Sequence, residues 1–331
     1  MTTYYVSDAS RSCPYDKFLF PQVIVTENQR QNTMTKNNPE VHTVFENKTS
    51  TWQYIVADPD TRDAVIIDSV LDYDPSTNTI STSSADRLLL IVESNSYNVV
   101  AILETHAHAD HLTAANYLQN TLLRQGKSKA DICIGKRIEQ VQRNVAHKYS
   151  IDSSEYVGIF DRYLDDDETF AIGKLEAKVV HLPGHTPDHV GYIIGPNVFT
   201  GDSIFLPDVG SARCDFPGGD AKALYSSMSK LFELPSDYRL YSGHDYPPGD
   251  RQGPQAYSTV GEQKATNKHV GGNAPESNFV KWRTERDSGL AEPKLIHQAL
   301  QFNVRAGRLP KATSAGDRFL HVPLKVPEAL L

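Results

Sequence analysis

The sequence predicts an α+β fold in which two β-sheets pack face to face and carry helices on their outer sides. Two observations support this prediction. Strand-like and helix-like segments follow one another through two similar halves of the chain, and four apolar strand-like runs each end in histidine or aspartate. A chain of 331 residues is also long enough to bury the core that such a fold needs.

The first half of the chain contains a predicted hairpin, three helices and two further strands. The hairpin follows from alternating apolar residues on both sides of the turn Asp58-Pro59-Asp60-Thr61. The first helix follows from Ser83-Ser84-Ala85-Asp86, which is typical of a helix start. The predicted elements are strands 52–57 and 63–69, helix 83–94, strand 99–104, helix 112–124, strand 132–134 and helix 136–147.

The second half begins with a strand-dominated stretch over 170–201, broken by turns at Gly173, Pro183-Gly184 and Gly195-Pro196. The predicted helices after it are 221–233, 279–287 and 293–303.

A change to polar composition after Pro247-Pro248-Gly249 marks a domain boundary. The predicted organisation is an N-terminal extension over 1–40, a main domain over 41–250 and a helical extension over 251–331 packed on that domain. The polar stretch 29–39 predicts that the N-terminal extension includes a mobile segment.

The amino-acid composition limits which binding partners and which cellular compartment are expected. The net charge of −8 and the isoelectric point near 5.8 argue against nucleic acid or a membrane surface as partner, because both need a basic face. Cys13, Cys133 and Cys214 are too few for a disulfide framework and favour a reducing compartment. The sequence lacks a secretory signal pattern and an apolar run of membrane-spanning length. A cytoplasmic protein is therefore expected; mitochondrial import is the weaker alternative, because the N-terminus is not rich in arginine.

The segment Glu104-Thr105-His106-Ala107-His108-Ala109-Asp110-His111 directly follows an apolar strand. In an extended backbone His106 and His108 point to the same side, and the turn that follows brings Asp110 and His111 back toward them. Imidazole nitrogens suit zinc, iron, copper or nickel, and a carboxylate also tolerates a harder ion. The segment therefore predicts a metal site.

Three further strands end in the same way. Their ends carry Gly184-His185, Gly201-Asp202 and Gly243-His244, with glycine where the backbone must turn tightly or approach closely. Four strand ends that meet at one point would place the metal site at the edge of a sheet.

The order T-H-x-H-x-D-H, G-H, G-D and G-H resembles the metallo-β-lactamase superfamily, whose fold is an αββα sandwich with metal at one rim. A closer resemblance is to its persulfide dioxygenase (sulfur dioxygenase) branch, including bacterial "β-lactamase-like hydrolase" members. The stretches that carry it are 102–111, 202–208, 210–221 and 300–310.

The resemblance implies a catalytic domain over 41–250 with one Fe(II) per chain on His106, His185 and Asp202. Three coordination positions would remain for substrate, water and O2, as ferrous oxygenases require. The implied reaction oxidises glutathione persulfide, or a related thiol persulfide, to sulfite and the thiol. The residues that would surround these ligands, or hold a second metal, are His108, Asp110, His111 and His244, with Asp202 able to bridge.

The alternative is a thioester hydrolase of glyoxalase II type with two Zn(II) per chain. Ser211-Ala212-Arg213-Cys214-Asp215-Phe216 differs from the run that such hydrolases usually carry there. By resemblance, Arg213 would pair with a glutathione carboxylate and Tyr246 would lie near the substrate sulfur. Ser211 is a departure, because eukaryotic members often have cysteine two places before this arginine. The resemblance also allows a homodimer, although the sequence contains no recognisable interface stripe.

The remaining histidines are given ordinary roles. His181 and His189 flank the Gly-His turn, but the favoured interpretation leaves both outside the site. Surface or satisfied core positions are predicted for the others, which are His42, His147, His269, His297 and His321.

Overall fold

A computed structural model describes residues 38–327, so the predicted N-terminal extension lies outside the described residues up to position 37. The strands are β1 (Glu40–Glu46), β2 (Thr51–Ala57), β3 (Asp63–Ile67), β4 (Val70–Asp74), β5 (Thr79–Ser81), β6 (Asn98–Leu103), β7 (Leu112–Thr113), β8 (Asp131–Gly135), β9 (Arg162–Leu164), β10 (Thr169–Ile172), β11 (Leu175–His181), β12 (Val190–Ile194), β13 (Asn197–Gly201), β14 (Arg239–Ser242) and β15 (Tyr257–Thr259). The helices are α1 (Ser83–Ser94), α2 (Ala115–Arg124), α3 (Ile138–Tyr149), α4 (Ala221–Phe232), α5 (Val260–Thr266), α6 (Glu276–Ser288) and α7 (Ile296–Asn303), with a 3-10 turn at Ser153–Glu155.

The strands form two six-stranded mixed sheets and one small sheet. The first sheet has the order β1-β2-β3-β6-β8-β9, with parallel pairing from β3 onward. The second has the order β10-β11-β12-β13-β14-β15, antiparallel except between β13 and β14. The small sheet, β5-β4-β7, lies beside α1.

The core between the two large sheets follows from alternation along the strands. In β2, Tyr54 and Val56 belong to the cluster between the sheets, whereas Ile55 and Ala57 face the helices of the first sheet. Leu103 at the end of β6 also points between the sheets. Successive strand residues point to opposite faces, so a strand covered on both sides must be apolar throughout.

Helices cover both outer faces. α1, α2, α3 and α7 pack on the first sheet through residues such as Leu88 and Phe302. α4, α5 and α6 pack on the second through Leu224, Val260 and Phe279. The order helix, sheet, sheet, helix confirms the predicted αββα sandwich.

The fold brings four strand ends to one edge. β13 and β14 are parallel, and β11 runs in the same direction because two antiparallel pairings separate it from β13. The end of β6 joins them from the first sheet, where Tyr192 Oη donates to the Glu104 carbonyl at 2.7 Å. The side chains that follow these strands therefore meet.

Several element boundaries differ from the prediction. The helix expected from Leu112 begins at Ala115, because Leu112 and Thr113 pair with β4 as β7. The strands β1, β4 and β5 and the helix α5 were not predicted as separate elements. β1 pairs with the adjacent β2, and β4 pairs with the adjacent β5, so both pairs are hairpins. β5 has only three residues, which is too few to show a period in the sequence.

The segment after residue 250 packs on the rest of the chain at several places. Its strand β15 pairs with β14, so the second sheet extends past the predicted boundary at residue 250. α6 lies against α4, and α7 lies against β7 and α3. The Asn303 amide nitrogen donates to the His108 and His111 carbonyls, at 2.8 Å each, and its oxygen accepts from the Thr113 amide. One α7 side chain thus holds the backbone of the histidine-rich turn.

Among the described helices, none combines the length and apolar character that crossing a membrane would require.

Candidate metal centre

Three side chains predicted as ligands come together at the sheet edge. Their candidate ligand atoms all lie within 4.8 Å of one another. Asp202 Oδ2 is 3.5 Å from His185 Nε2 and 4.0 Å from His106 Nε2. All three residues are buried.

Hydrogen bonds fix which nitrogen of each imidazole faces this point. The single hydroxyl proton of Thr105 goes to Asp68, so Thr105 Oγ1 accepts from His106 Nδ1 at 2.9 Å. His185 Nδ1 donates to the Arg213 carbonyl at 2.7 Å. Both Nε2 atoms therefore keep a free lone pair, as a metal ligand must.

A second group lies beside the first. His244 Nε2 is 3.4 Å from Asp110 Oδ2 and 3.5 Å from Asp202 Oδ2. His111 Nδ1 is 2.8 Å from the same Asp110 oxygen. Burial alone would lower the pKa of His244, but Asp202 and Asp110 raise it to about 10. Asp202 thus stands between two clusters of possible ligands, so the geometry can serve one metal or two.

His108 differs from its neighbours because carboxylates surround its Nε2. That atom lies 3.0 Å from Asp68 and 3.4 Å from Glu104, both buried. Burial alone would lower the pKa of His108, but these carboxylates raise it well above its usual range. Its Nδ1 has no partner within residues 38–327. Sequence reasoning missed Asp68, which directly follows the apolar strand β3 as the other candidates follow their strands, but which lies outside the T-H-x-H-x-D-H motif.

The residues present fit a transition metal. Buried polar atoms normally have a partner, yet His106 Nε2, His111 Nε2 and Asp202 Oδ1 have none in the described part of the chain. Burial, followed by the neighbouring imidazoles of His108 and His189, holds the pKa of His106 well below its usual range, which favours the neutral, metal-binding form. A mixed imidazole and carboxylate set suits iron or zinc.

His189 was expected outside the site but contacts two of the three residues. Its Nε2 accepts from the Asp202 backbone N–H at 3.0 Å, and its ring stacks on His106 at 4.7 Å between centroids. The ring is fully buried. Gly243 also packs tightly against Asp202, because a Cβ at position 243 would lie 2.4 Å from Asp202 Oδ1. His181 is half-buried and bonds the Pro187 carbonyl instead.

A cavity of about 500 Å³ opens on Asp110, His185, Asp202 and His244. Residues after position 250 build its far wall. They include Lys268, His269, Trp282, Arg283 and Arg286. His269, expected at a surface or core position, stacks on Trp282 at 3.5 Å between ring centroids.

Both predicted substrate contacts line this cavity. Arg213 Nε donates to Asp215 Oδ1 at 2.6 Å, so its guanidinium is already oriented by a carboxylate. Tyr246 stacks over the His244 ring at 5.7 Å and is 49% exposed at the mouth. Ser211 is buried beside them.

Comparison with known proteins defines the class. The metallo-beta-lactamase superfamily pattern matches residues 47–244, more than half of the chain. The protein therefore belongs to the metallo-beta-lactamase superfamily.

Individual relatives carry names that are narrower than the superfamily. "Glyoxylase B2" of Dictyostelium discoideum is 40% identical over 295 residues, covering 87% of this chain and 98% of the relative. The "Beta-lactamase hydrolase-like protein" of Agrobacterium fabrum is 42% identical over 291 residues, covering 88% of this chain but 66% of the relative. Human "Persulfide dioxygenase ETHE1, mitochondrial" is 29% identical over 267 residues, covering 80% of this chain and 87% of the relative.

The crystal structure of ETHE1 from Myxococcus xanthus superposes with a TM-score of 0.64 at 28% identity, covering 81% of this chain and 100% of that one. The predicted resemblance to the superfamily and to its persulfide dioxygenases is thereby confirmed.

Proposed function

We propose that the protein is a persulfide dioxygenase that oxidises glutathione persulfide with O2 to sulfite and glutathione. One Fe(II) would be held by His106, His185 and Asp202. The observation that carries this proposal is the compact group of two imidazoles and one carboxylate, whose ligand atoms lie within 4.8 Å of one another beside an open cavity. Two histidines and one carboxylate on one face are typical of ferrous oxygenases.

The bound iron would supply the redox chemistry of O2 and sulfur. The chain's own residues have simpler tasks. Thr105 and the Arg213 carbonyl orient the two imidazoles, and the His189 ring supports Asp202 through its backbone N–H. Phe205 and Phe216 line the inner cavity and limit the access of water.

The charge of the cavity supports an anionic carrier thiol. Glutathione bears two carboxylates, and the cavity wall presents four cations. Arg213 and Arg283 are paired with Asp215 and Asp287. Lys268 and Arg286 form no ion pair with any of residues 38–327 and are free to meet a carboxylate. Residues 251–331 would therefore complete the active site of the domain over 41–250.

A dinuclear zinc thioester hydrolase remains the second candidate. Asp110, His111 and His244 form a second ligand group next to Asp202. The names "Glyoxylase B2" and "Beta-lactamase hydrolase-like protein" of the more similar relatives also favour it. In that case the second ligand group and Asp202 would hold a second zinc ion, and the two metals would supply an activated water for thioester hydrolysis.

Metal content and product analysis separate the two functions. Protein purified without oxygen should hold about one iron per chain and no second metal. With glutathione persulfide it should consume O2 and form sulfite. About two zinc per chain, with rapid hydrolysis of S-lactoylglutathione and no sulfite, would replace the first proposal by the second.

Arg213→Ala is expected to raise KM for glutathione persulfide about tenfold or more, since hydrogen bonds to charged groups contribute about 1.5–3 kcal/mol. Because the guanidinium would contact the carrier and not the reacting sulfur, kcat should change little. Steady-state O2 uptake measures both constants. Arg143→Ala removes an exposed arginine on α3 and serves as the control. An unchanged KM in Arg213→Ala would remove Arg213 from the binding site.

A further inference from the structure

The orientation of His185 depends on one peptide group in the segment 211–216. His185 Nδ1 donates to the Arg213 carbonyl at 2.7 Å. The backbone N–H of Cys214 donates to Asp287 Oδ2 at 2.8 Å. The Arg213 carbonyl and the Cys214 N–H belong to the same peptide group, so a single planar unit lies between the α6 carboxylate and the imidazole.

The geometry of a peptide group makes this arrangement directional. A trans peptide is planar, and its C=O and N–H point in opposite directions. A carboxylate that accepts from the N–H polarises the amide and strengthens the carbonyl as an acceptor. Asp287, the 213–214 peptide group and His185 are thus linked by two consecutive hydrogen bonds.

Little else holds this peptide. The segment 211–216 contains no helix or strand. Among its backbone N–H groups, only that of Cys214 donates to another element of the described structure. Without Asp287 the 213–214 peptide would lose the hydrogen-bond partner of its N–H, and the direction of the carbonyl that His185 contacts would be less tightly fixed.

Asp287 is itself well fixed. It is 7% exposed, and Arg283 pairs with it one helical turn earlier on α6. Arg283 is 4% exposed and lies over the Trp282 ring at 4.7 Å. A buried carboxylate without such a partner would be costly, so the contact with Arg283 stabilises Asp287 at this position.

We propose that Asp287 is a positioning residue for the metal centre, acting on His185 through the 213–214 peptide group. Metal-binding histidines commonly donate their other ring nitrogen to a carboxylate or carbonyl, which fixes the ring and raises its basicity. Here the carboxylate acts through an inserted peptide. It comes from α6, beyond the family match at residues 47–244. The proposal rests on the proposed metal ligands but not on the reaction.

The test measures metal affinity in Asp287→Asn and Asp287→Ala. Loss of such outer partners typically weakens metal binding about 10–100-fold. We expect Kd for Zn(II), measured against a competing chelator, to rise about tenfold in Asp287→Asn and more in Asp287→Ala. The visible spectrum of the Co(II)-loaded protein should shift as the His185 bond changes. Glu285→Gln removes an exposed charge from the same helix and should leave both unchanged.

Folding is checked separately by circular dichroism and thermal unfolding of the metal-free proteins. Folded Asp287→Asn and Asp287→Ala with unchanged Kd and Co(II) spectrum would overturn the proposal. If neither variant folds, amide hydrogen exchange in the wild-type protein decides. Metal loading should slow exchange of the Cys214 amide, and an unprotected Cys214 amide in both states would overturn it. Weak metal binding by the wild type, or absence of sulfite formation, would count against the proposed function instead.

Discussion

Asp202→Ala is expected to abolish sulfite formation and lower kcat/KM roughly a thousandfold or more, since a bound metal supplies several kcal/mol of stabilisation. Asp202 Oδ2 lies 3.5–4.0 Å from the Nε2 atoms of His106, His185 and His244. Its removal takes the carboxylate from the candidate iron site and from a second metal site together. O2 uptake with glutathione persulfide and iron content per chain would be measured on the same sample.

The matched control is Asp60→Ala, which removes an exposed aspartate paired with Lys174. It should retain full iron content and activity. Asp202→Ala that still binds iron and forms sulfite at the wild-type rate would show that the reacting centre lies elsewhere.

Gly184→Ala is expected to lower the free energy of unfolding by about 3 kcal/mol or more. Gly184 has φ +141°, a conformation that alanine rarely adopts, and a Cβ there would lie 2.3 Å from the Leu224 Cα of α4. Relief of that overlap must move α4 or the turn that carries His185. Urea unfolding of the metal-free protein measures the loss, and metal affinity should fall with it.

Gly126→Ala separates backbone strain from overlap. Gly126 has φ +78°, but a Cβ there would meet no atom within 4 Å. Its substitution should cost about 1–2 kcal/mol and leave metal affinity unchanged. Equal losses in the two variants would mean that the contact with α4 is not tight.

Local patterns predicted the regular elements well where a strand or helix carries its own periodicity. The run before Glu104 is apolar throughout, as a strand covered on both faces must be, and it forms β6. The same approach failed at Leu112 and Thr113, which have the composition of a helix start. Pairing with β4 and the hydrogen bond that the Thr113 N–H donates to Asn303 Oδ1 decide their conformation, and both partners are distant in the chain.

The residues of the candidate site also fall into those that the sequence identifies and those that it does not. His106, His185 and Asp202 could be chosen from sequence because each follows a strand and stands in a recognisable motif. His189 and Asp68 could not, because their importance lies in contacts with Asp202 and His108. A histidine in sequence carries no sign of whether its ring will be exposed or stacked on a candidate ligand such as His106.

The sequence by itself determined the sandwich architecture, the superfamily and the residues available to bind metal, because these depend on periodicity and on short motifs. Only the tertiary structure decided which nitrogen of each imidazole faces the candidate metal position, that residues after 250 build the cavity wall, and that Asp287 reaches the peptide beside His185. The reason is physical. Hydrogen-bond direction and the sharing of a cavity are set by distances between segments far apart in the chain, and these distances exist only once the sheets and helices have packed.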